Sequence, residues 1–331
     1  MTGASVARRE RRPVESNRSD RLRFAADVRA GLTARPRQIP SRYLYDDLGS
    51  ALFEAICRLP WYPITRAEER LLAVHGGELV GSVRPSTIVE LGSGSGEKLK
   101  LLLSRSAIDL AGVDIHLVDL STAALDLSAQ ALASLGAARI VGHEASYEDG
   151  LTAASRDFRP GAPVLVLFLG SNIGNFDPPA CEAFLDSLRG ALRPGDALLV
   201  GTDLVKPEGD LLLAYDDPLG VTAAFNRNVL VRVNRELGGD FAVEEFAHRA
   251  IWNPVASRME MYLVSRSDQT IHVPGAEVEF VMRAGDSIWT ECSYKYRAEE
   301  IAPLLAASGF RAEGQWSDAR DRFLLTLARA V

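Results

Sequence analysis

The chain has 331 residues, a formal charge of −7, 47% hydrophobic residues and 24% charged residues. That composition is ordinary for a folded globular protein and excludes collagen-like, coiled-coil and wholly disordered chains. The longest apolar runs, such as residues 164–169, are far shorter than the roughly 20 residues of a membrane-spanning helix. No secretory leader opens the chain. We therefore expect a cytoplasmic protein of one large domain or two, with no membrane partner.

Cysteine and histidine residues give no sign of a metal centre. Cys57, Cys181 and Cys292 are odd in number and widely spaced, which argues against a disulfide framework or a zinc site. The histidines form no HxH or HExxH pattern. We predict that the protein binds no metal.

The beginning of the chain differs in charge from the rest. The first 24 residues carry seven arginines and three acids, so the remainder is more acidic than the total charge suggests. An acidic body argues against a nucleic-acid surface. Residues 1–20 lack a hydrophobic period, and we predict that they form a flexible, arginine-rich tail.

The pattern of apolar residues predicts two kinds of structure along the chain. Residues 21–66 have a helical pattern broken by prolines. Beyond them, short apolar runs alternate with helical stretches, which predicts a doubly wound, mostly parallel sheet. The predicted strands lie at residues 87–91, 115–119, 138–141, 164–169 and 197–201.

After Asp203 this alternation stops. Residues 206–256 have a helical and loop pattern, and the alternating runs at 258–265 and 277–283 predict an antiparallel element. A helix at 298–308 and a strand at 322–328 then resume the earlier pattern. We therefore predict an α/β protein in which a Rossmann-like domain, residues 67–204 plus 294–331, is interrupted by a second domain, residues 21–66 plus 205–293.

The sharpest motif is a glycine loop after the first strand of the Rossmann-like domain. Gly92, Gly94 and Gly96 would let the backbone turn tightly and approach a ligand closely. Their spacing is GxGxG, and Glu90 stands two residues before the first glycine. An acid there is unfavourable beside a pyrophosphate but favourable beside a sulfonium or ammonium group. The loop therefore favours S-adenosylmethionine (SAM) over NAD.

Four further residues are candidates for holding a nucleoside. Asp119 ends the second strand, where a carboxylate can accept both ribose hydroxyls. Lys98 follows the glycine loop and is one of only four lysines in the chain. Ser146 and Tyr147 follow the third strand, where a hydroxyl and an aromatic ring can meet the edge and face of adenine.

Polar residues also follow the fourth and fifth strands. Ligands in open α/β sheets bind outside the carboxyl ends of the strands. Asn172 and Asn175 offer uncharged donors and acceptors there, suited to orienting an amino or carboxylate group, although Asn172 is equally well explained as a turn former. Residues 201–206 form a further polar rim.

With these residues assembled, the chain resembles the histidine Nα-methyltransferases of ergothioneine biosynthesis. The similarity runs from about Asp27 to Leu327 and leaves out only the tail. The matching stretches are DVRAGLT from Asp27, YDDLGS from Tyr45, VELGSG from Val89, FLGSNIGN from Phe168, GTDLVK from Gly201, AYDD from Ala214 and GVTAAFNRNV from Gly220.

The resemblance implies a class I SAM-methyltransferase fold with an inserted α+β substrate-binding domain. It also implies that three methyl groups pass from SAM to the α-amine of L-histidine, giving hercynine. The positions that hold SAM in the family match Gly92, Lys98, Asp119, Ser146 and Tyr147 of this chain. Ser146 departs from the family, which usually has aspartate there, and serine accepts an adenine amino hydrogen more weakly.

The histidine substrate is held, by the same resemblance, at positions that match residues from both predicted domains. Asn175 and Tyr215 would orient the carboxylate and amine, and Glu291 with Ser293 would hold the two edges of the imidazole. The candidate catalytic residues are Asn175 and Tyr45. The full set of predicted substrate-binding residues is Tyr62, Asn175, Tyr215, Glu291, Cys292 and Ser293.

Three alternatives remain open from the sequence. A methyltransferase of the same family for another amino acid, such as tryptophan, or for an aromatic amine would lack Glu291 and Ser293. A dehydrogenase would need GxGxxG and a catalytic histidine or lysine, which we cannot place. A non-enzymatic protein that binds a cofactor or RNA would depend on the basic tail. We expect a small-molecule enzyme that acts as a monomer.

Overall fold

The computed structural model describes residues 8–13 and 17–331. The strands in chain order are β1 (Arg8–Pro13), β2 (Arg37–Gln38), β3 (Thr87–Leu91), β4 (Asp114–Asp119), β5 (Arg139–Glu144), β6 (Val164–Phe168), β7 (Ala197–Asp203), β8 (Phe246–Asn253), β9 (Arg258–Ser265), β10 (Gln269–Val273), β11 (Val278–Met282), β12 (Ser287–Tyr294), β13 (Phe310–Asp318) and β14 (Phe323–Ala330). The α-helices are α1 (Asn17–Thr33), α2 (Asp47–Arg58), α3 (Ile64–Val83), α4 (Glu97–Ser104), α5 (Thr122–Leu132), α6 (Tyr147–Ser155), α7 (Pro178–Ala191), α8 (Glu208–Tyr215), α9 (Val221–Leu237) and α10 (Ala298–Ala307).

The chain divides into two compact units. Among the described residues, unit 1 holds 8–13, 63–205 and 295–331, and unit 2 holds 17–62 and 206–294. The chain therefore passes between the units four times. The domain bounds predicted from the sequence lie within a few residues of these junctions, apart from the tail.

Unit 1 is built on one eight-stranded sheet in the order β1-β5-β4-β3-β6-β7-β14-β13. The first six strands in this order are parallel to one another, whereas β14 is antiparallel to both of its neighbours, β7 and β13. Every residue of β3, β6 and β7 is buried, as expected for parallel strands covered on both faces. The strand order confirms the predicted α/β class with a Rossmann-like sheet.

Unit 2 is an α+β unit. Its four-stranded sheet has the order β2-β12-β9-β8, and β10 pairs with β11 in a separate antiparallel hairpin. Helices α8 and α9 pack against β8 and β9. One end of α2 is fixed by Asp46, whose carboxylate accepts hydrogen bonds from the Gly49 amide at 2.8 Å and from Asn228 of α9 at 2.6 Å.

The structure differs from the sequence predictions at the beginning of the chain and in several strands. The predicted flexible tail at 1–20 is wrong where the structure describes it, because Arg8–Pro13 forms β1 on the edge of the sheet beside β5 and α1 begins at Asn17. An edge strand is held by backbone hydrogen bonds and needs no hydrophobic period. Strands β2, β8, β10, β12 and β13 were not predicted. Strand β8 is mostly half-buried and β13 alternates with exposed residues, so neither has a continuous apolar run. In the described part of the chain, no helix is long and apolar enough to cross a membrane.

Candidate functional site

The glycine loop of unit 1 follows β3 and requires glycine at its first position. Gly92, Gly94 and Gly96 have φ values of +79°, +50° and +73°, which glycine adopts without a steric penalty. The Gly92 amide donates to the carbonyl of Val118 on β4 at 2.8 Å. A Cβ atom on Gly92 would lie 2.9 Å from the side-chain nitrogen of Asn172. The loop is therefore a close-fitting cradle at the carboxyl end of β3.

Asp119 holds this loop against the end of β4. Its Oδ2 atom accepts a hydrogen bond from the Gly94 amide at 3.0 Å, and its Oδ1 atom accepts one from the Ser121 amide at 2.9 Å. Asp119 therefore lies at the end of β4 directly beside the glycine loop, where the sequence predicts a carboxylate that accepts ribose hydroxyls.

Lys98 forms an ion pair that the sequence analysis missed. Its Nζ atom lies 2.6 Å from Oε2 of Glu68, a residue of α3 whose side chain is completely buried. Both Glu68 oxygens also lie 2.9 Å from the Gly170 amide, which donates to them. The pair therefore joins α3, α4 and the loop after β6 beneath the candidate cofactor site.

Glu90 is a second buried carboxylate in this region. Only 2% of Glu90 is exposed, and the Oε2 atom of its carboxyl group has no hydrogen-bond partner among the described residues. Burial raises the pKa of Glu90 to about 8; the positive charge of Lys98 opposes this, and the charges of Glu68 and Asp119 add to it. An unsatisfied buried acid in this position fits a cationic ligand group.

Ser146 and Tyr147 begin helix α6. The Ser146 hydroxyl accepts a hydrogen bond from the Asp149 amide at 3.2 Å and donates one to the Asp149 carboxylate at 2.9 Å, so it caps the helix. The Tyr147 ring packs edge-on against Phe168 and Phe184, with ring centroids 5.2 and 6.1 Å away. Burial raises the pKa of Tyr147, which keeps its hydroxyl protonated.

Asn172 and Asn175 lie in a single helical turn after β6. The turn is entered through Gly170 and Ser171, both with positive φ. The Ser171 hydroxyl accepts from the amide of Asp203, and the carboxylate of Asp203 lies 3.1 Å from the buried ammonium of Lys295. Strained backbone that is fixed from several sides is typical of functional loops.

Unit 2 brings together four of the predicted substrate-binding and catalytic residues through two hydrogen bonds. The Tyr215 hydroxyl donates to Oγ of Ser293 at 2.8 Å. The Tyr45 hydroxyl makes a longer contact of 3.5 Å with Oε1 of Glu291. Glu291 and Ser293 lie two residues apart on β12, so both point to the same face of the sheet.

Aromatic rings line the same region of unit 2. Phe53 contacts Tyr45, Tyr62 and Phe225, with ring centroids 5.5, 6.2 and 5.9 Å away. Tyr62 also lies 6.3 Å from Tyr215. A hydrophobic wall with a few convergent polar groups is typical of a small-molecule site.

Cys292 is the one predicted residue of β12 that the strand geometry separates from its neighbours. Successive side chains of a strand point to opposite faces, so Cys292 points away from Glu291 and Ser293.

The structure adds three residues that the sequence analysis did not single out: His248, Asn226 and Thr290. These residues are linked to Tyr215 and to one another by hydrogen bonds. Among the described residues, no group of three or more His, Cys, Asp or Glu side chains could hold a metal ion.

The sequence of the chain is similar to those of known methyltransferases. The chain is 42% identical to the histidine N-alpha-methyltransferase of Mycolicibacterium smegmatis, covering 91% of this chain and 93% of that protein. It is 41% identical to the protein of the same name from Mycobacterium tuberculosis, covering 93% and 95%. It is 30% identical to ergothioneine biosynthesis protein 1 of Neurospora crassa, covering 89% of this chain but 33% of that longer protein. The family model described as histidine-specific methyltransferase, SAM-dependent, matches residues 24–330. The chain belongs to this family of SAM-dependent, histidine-specific methyltransferases.

Proposed function

We propose that this protein transfers three methyl groups in succession from SAM to the α-amino group of L-histidine, producing hercynine in the first step of ergothioneine biosynthesis. The observation that carries the proposal is the pairing of Tyr45 with Glu291 and of Tyr215 with Ser293 in unit 2. These groups provide a carboxylate and hydroxyls for a small polar substrate beside an aromatic wall. The names of the two bacterial relatives support histidine as that substrate.

The residues of unit 1 fit SAM as the methyl donor. There is no room for a side chain at Gly92, so the backbone of the glycine loop can lie close to a ligand. The buried Oε2 atom of Glu90 is an acceptor for a cationic group. Asp119, Lys98, Ser146 and Tyr147 surround the same strand ends and would bind the nucleoside and amino acid parts of the donor. SAM supplies an electrophilic methyl group on a positively charged sulfur.

The side chains of unit 2 would select the imidazole of the substrate. Glu291 can accept a hydrogen bond from one ring nitrogen, and the Ser293 hydroxyl can donate to the other. A site built to hydrogen-bond a polar group rejects an analogue that lacks the group by large factors, because the buried partner is left unpaired. Asn175 and Tyr215 would orient the carboxylate and the amine.

Catalysis would depend mainly on positioning. The amine must be neutral and in line with the carbon–sulfur bond that breaks, so the ammonium loses one proton before each of the three transfers. The new carbon–nitrogen bond then forms as S-adenosylhomocysteine leaves, and the third transfer gives the quaternary trimethylammonium. Holding two reactants in that geometry supplies a large part of the rate enhancement. Tyr45 and Asn175 are the residues that we propose to hold the reacting amine. We further propose that the enzyme acts as a cytoplasmic monomer without a nucleic-acid partner.

Mass spectrometry of the products tests this function. The purified protein is incubated with SAM and each of the common amino acids, and mass gains of one, two and three methyl groups are followed. Three methyl groups on histidine alone are expected. Methylation of a different amino acid or of an aromatic amine would overturn the substrate, and absence of transfer despite bound SAM would overturn the enzymatic function.

A further inference from the structure

A chain of hydrogen bonds in unit 2 connects the backbone of Tyr215 with strand β12. His248 on β8 contacts the backbone carbonyl of Tyr215 on α8 through Nε2 at 2.8 Å. Its Nδ1 atom lies 2.9 Å from the side-chain nitrogen of Asn226 on α9. The Thr290 hydroxyl on β12 donates to Oδ1 of Asn226 at 2.6 Å. The Tyr215 hydroxyl separately donates to Ser293, which lies three residues after Thr290 on the same strand.

The partners fix the orientation of the Asn226 amide. Its nitrogen faces two acceptors, the Tyr262 carbonyl at 3.1 Å and the His248 ring nitrogen. Its oxygen accepts from the Thr290 hydroxyl at 2.6 Å, and the same hydroxyl also lies 3.0 Å from the Met261 carbonyl. Turning the amide by half a turn would place the amide oxygen against the Tyr262 carbonyl. Because Asn226 is completely buried, it has no water to replace a lost partner.

The same partners fix the proton on His248. The Tyr215 carbonyl can only accept, so Nε2 of His248 carries the hydrogen. The Asn226 nitrogen can only donate, so Nδ1 carries none. His248 is therefore the neutral tautomer, and a second proton on Nδ1 would place two donors against each other. Only 2% of its side chain is exposed, so water cannot relieve that clash.

We propose that His248, Asn226 and Thr290 are positioning residues that hold Tyr215 in place relative to Glu291 and Ser293. We also propose that substrate affinity depends on a neutral His248. The inference rests on the proposed function, since it concerns the same substrate. Thr290 precedes Glu291 directly, and the pairing of β12 with β9 is irregular between Trp289 and Glu291. The hydrogen bond from Thr290 to Asn226 fixes the backbone at that irregularity.

The surroundings of His248 favour the neutral form of its imidazole. Burial lowers its pKa, and the positive charge of Arg227 on α9 also lowers it. Three groups raise the pKa instead: the Tyr215 carbonyl, Asp216 and Asp217. The Oδ1 atom of Asp216 lies 4.0 Å from Nε2 of His248. The Asp216 side chain is 58% exposed, so solvent screens it. Acidification would therefore charge His248 and break the contact with Asn226.

A matched pair of substitutions at Thr290 tests the positioning role. Thr290→Val keeps the shape but removes the hydroxyl, and Thr290→Ser keeps the hydroxyl. The full-length protein is saturated with S-adenosylhomocysteine to prevent turnover, and histidine binding is measured by calorimetry. We expect Thr290→Val to bind histidine about tenfold more weakly, the effect of one buried hydrogen bond, and Thr290→Ser to bind within about twofold of wild type. Affinity for S-adenosylhomocysteine should be unchanged in both, which separates this effect from misfolding.

A second measurement tests the charge state. Glutamine can place its amide nitrogen where Nε2 of His248 lies, so His248→Gln keeps the donor to the Tyr215 carbonyl but cannot titrate. The imidazole of the substrate also titrates, with an ordinary histidine pKa of about 6.5, but its contribution cancels in the ratio of the two proteins' affinities. We expect the wild type to lose affinity relative to His248→Gln as the pH falls below that value.

The outcomes separate the two proposals. Wild-type protein that binds S-adenosylhomocysteine but not histidine would overturn the proposed function, and this inference with it. Wild-type binding of histidine together with equal binding by Thr290→Val would overturn the positioning role alone. A ratio of affinities that does not change with pH would overturn the dependence on neutral His248.

Discussion

The Nζ atom of Lys98 lies 2.6 Å from Oε2 of Glu68, and the Glu68 side chain is completely buried. The ammonium thus reaches from helix α4 into the interior beneath the loop after β6. Its partner cannot be replaced by water, because the carboxylate is removed from solvent. The position of Lys98, which we propose to contact the methyl donor, therefore depends on a residue of α3 that was not among the predicted cofactor-binding residues.

Replacing Glu68 with glutamine should weaken cofactor binding. The change leaves one amide oxygen for the Gly170 backbone but removes the charge that holds Lys98, and breaking one side of a buried pair is costly. We expect the Kd for S-adenosylhomocysteine to rise about tenfold, measured by calorimetry. Glu69→Gln, at the half-buried neighbouring position, is the matched control. Equal affinities in the two variants would contradict the role of the ion pair.

The stability of the protein should depend on pH through Glu90. Burial raises the pKa of Glu90 from 4.5 to about 8, so the folded protein binds this proton more tightly than the unfolded chain. Stability from this group is therefore complete below pH 4.5 and is lost as the pH rises through about 8. Glu90→Gln cannot titrate, so its melting temperature should exceed that of the wild type by a margin that grows across this range. A constant margin would show that Glu90 is ionised throughout.

Glu291 should control the choice of substrate. We expect Glu291→Ala to lower kcat/KM for histidine by roughly a hundredfold or more, because the imidazole loses its acceptor. Affinity for S-adenosylhomocysteine should persist. Cys292→Ala changes the adjacent residue on the opposite face of β12 and should leave kcat/KM near the wild-type value. Normal turnover of histidine by Glu291→Ala would remove this residue from the site.

Two glycine substitutions should have opposite effects on stability. Gly92 has φ near +79°, and a Cβ atom there would approach Asn172 and Tyr147. Gly92→Ala should destabilise the protein by about 1–2 kcal/mol and impair binding of S-adenosylhomocysteine. Gly81 lies in α3 with no atom within 4 Å of its added Cβ, so Gly81→Ala should stabilise by about 0.5–1 kcal/mol. Chemical denaturation measures both, and similar effects from the two changes would contradict the argument.

The central sheet could be predicted from the sequence because its strands are buried on both faces. Apolar runs such as those of β6 and β7, bounded by loop residues, carry their own local signal. Strand β13 has no such run, since every second residue faces solvent. Strand β1 is fixed by its pairing with β5, which nothing within its own sequence indicates.

The candidate site was predictable where residues belong to local motifs and was missed where their partners are distant in sequence. The glycine loop and Asp119 follow strand ends, and the residues of β12 were assigned through the family resemblance. Glu68 meets Lys98 only through tertiary packing of α3 on α4, and His248 meets Tyr215 across 33 residues. Ser146 shows the converse, because its hydroxyl caps α6 through Asp149, an alternative that the sequence analysis did not consider.

The position of β14 between β7 and β13 has a consequence for synthesis on the ribosome. The glycine loop is translated early, but β7 remains an unpaired edge until the residues from Phe323 onward have been added. All the unit 2 residues after β7 are made in that interval. Exposed edges of apolar strands invite pairing with other chains. Nascent chains halted before β14 should therefore aggregate through β7, and their demand for chaperones should fall once β14 has been made.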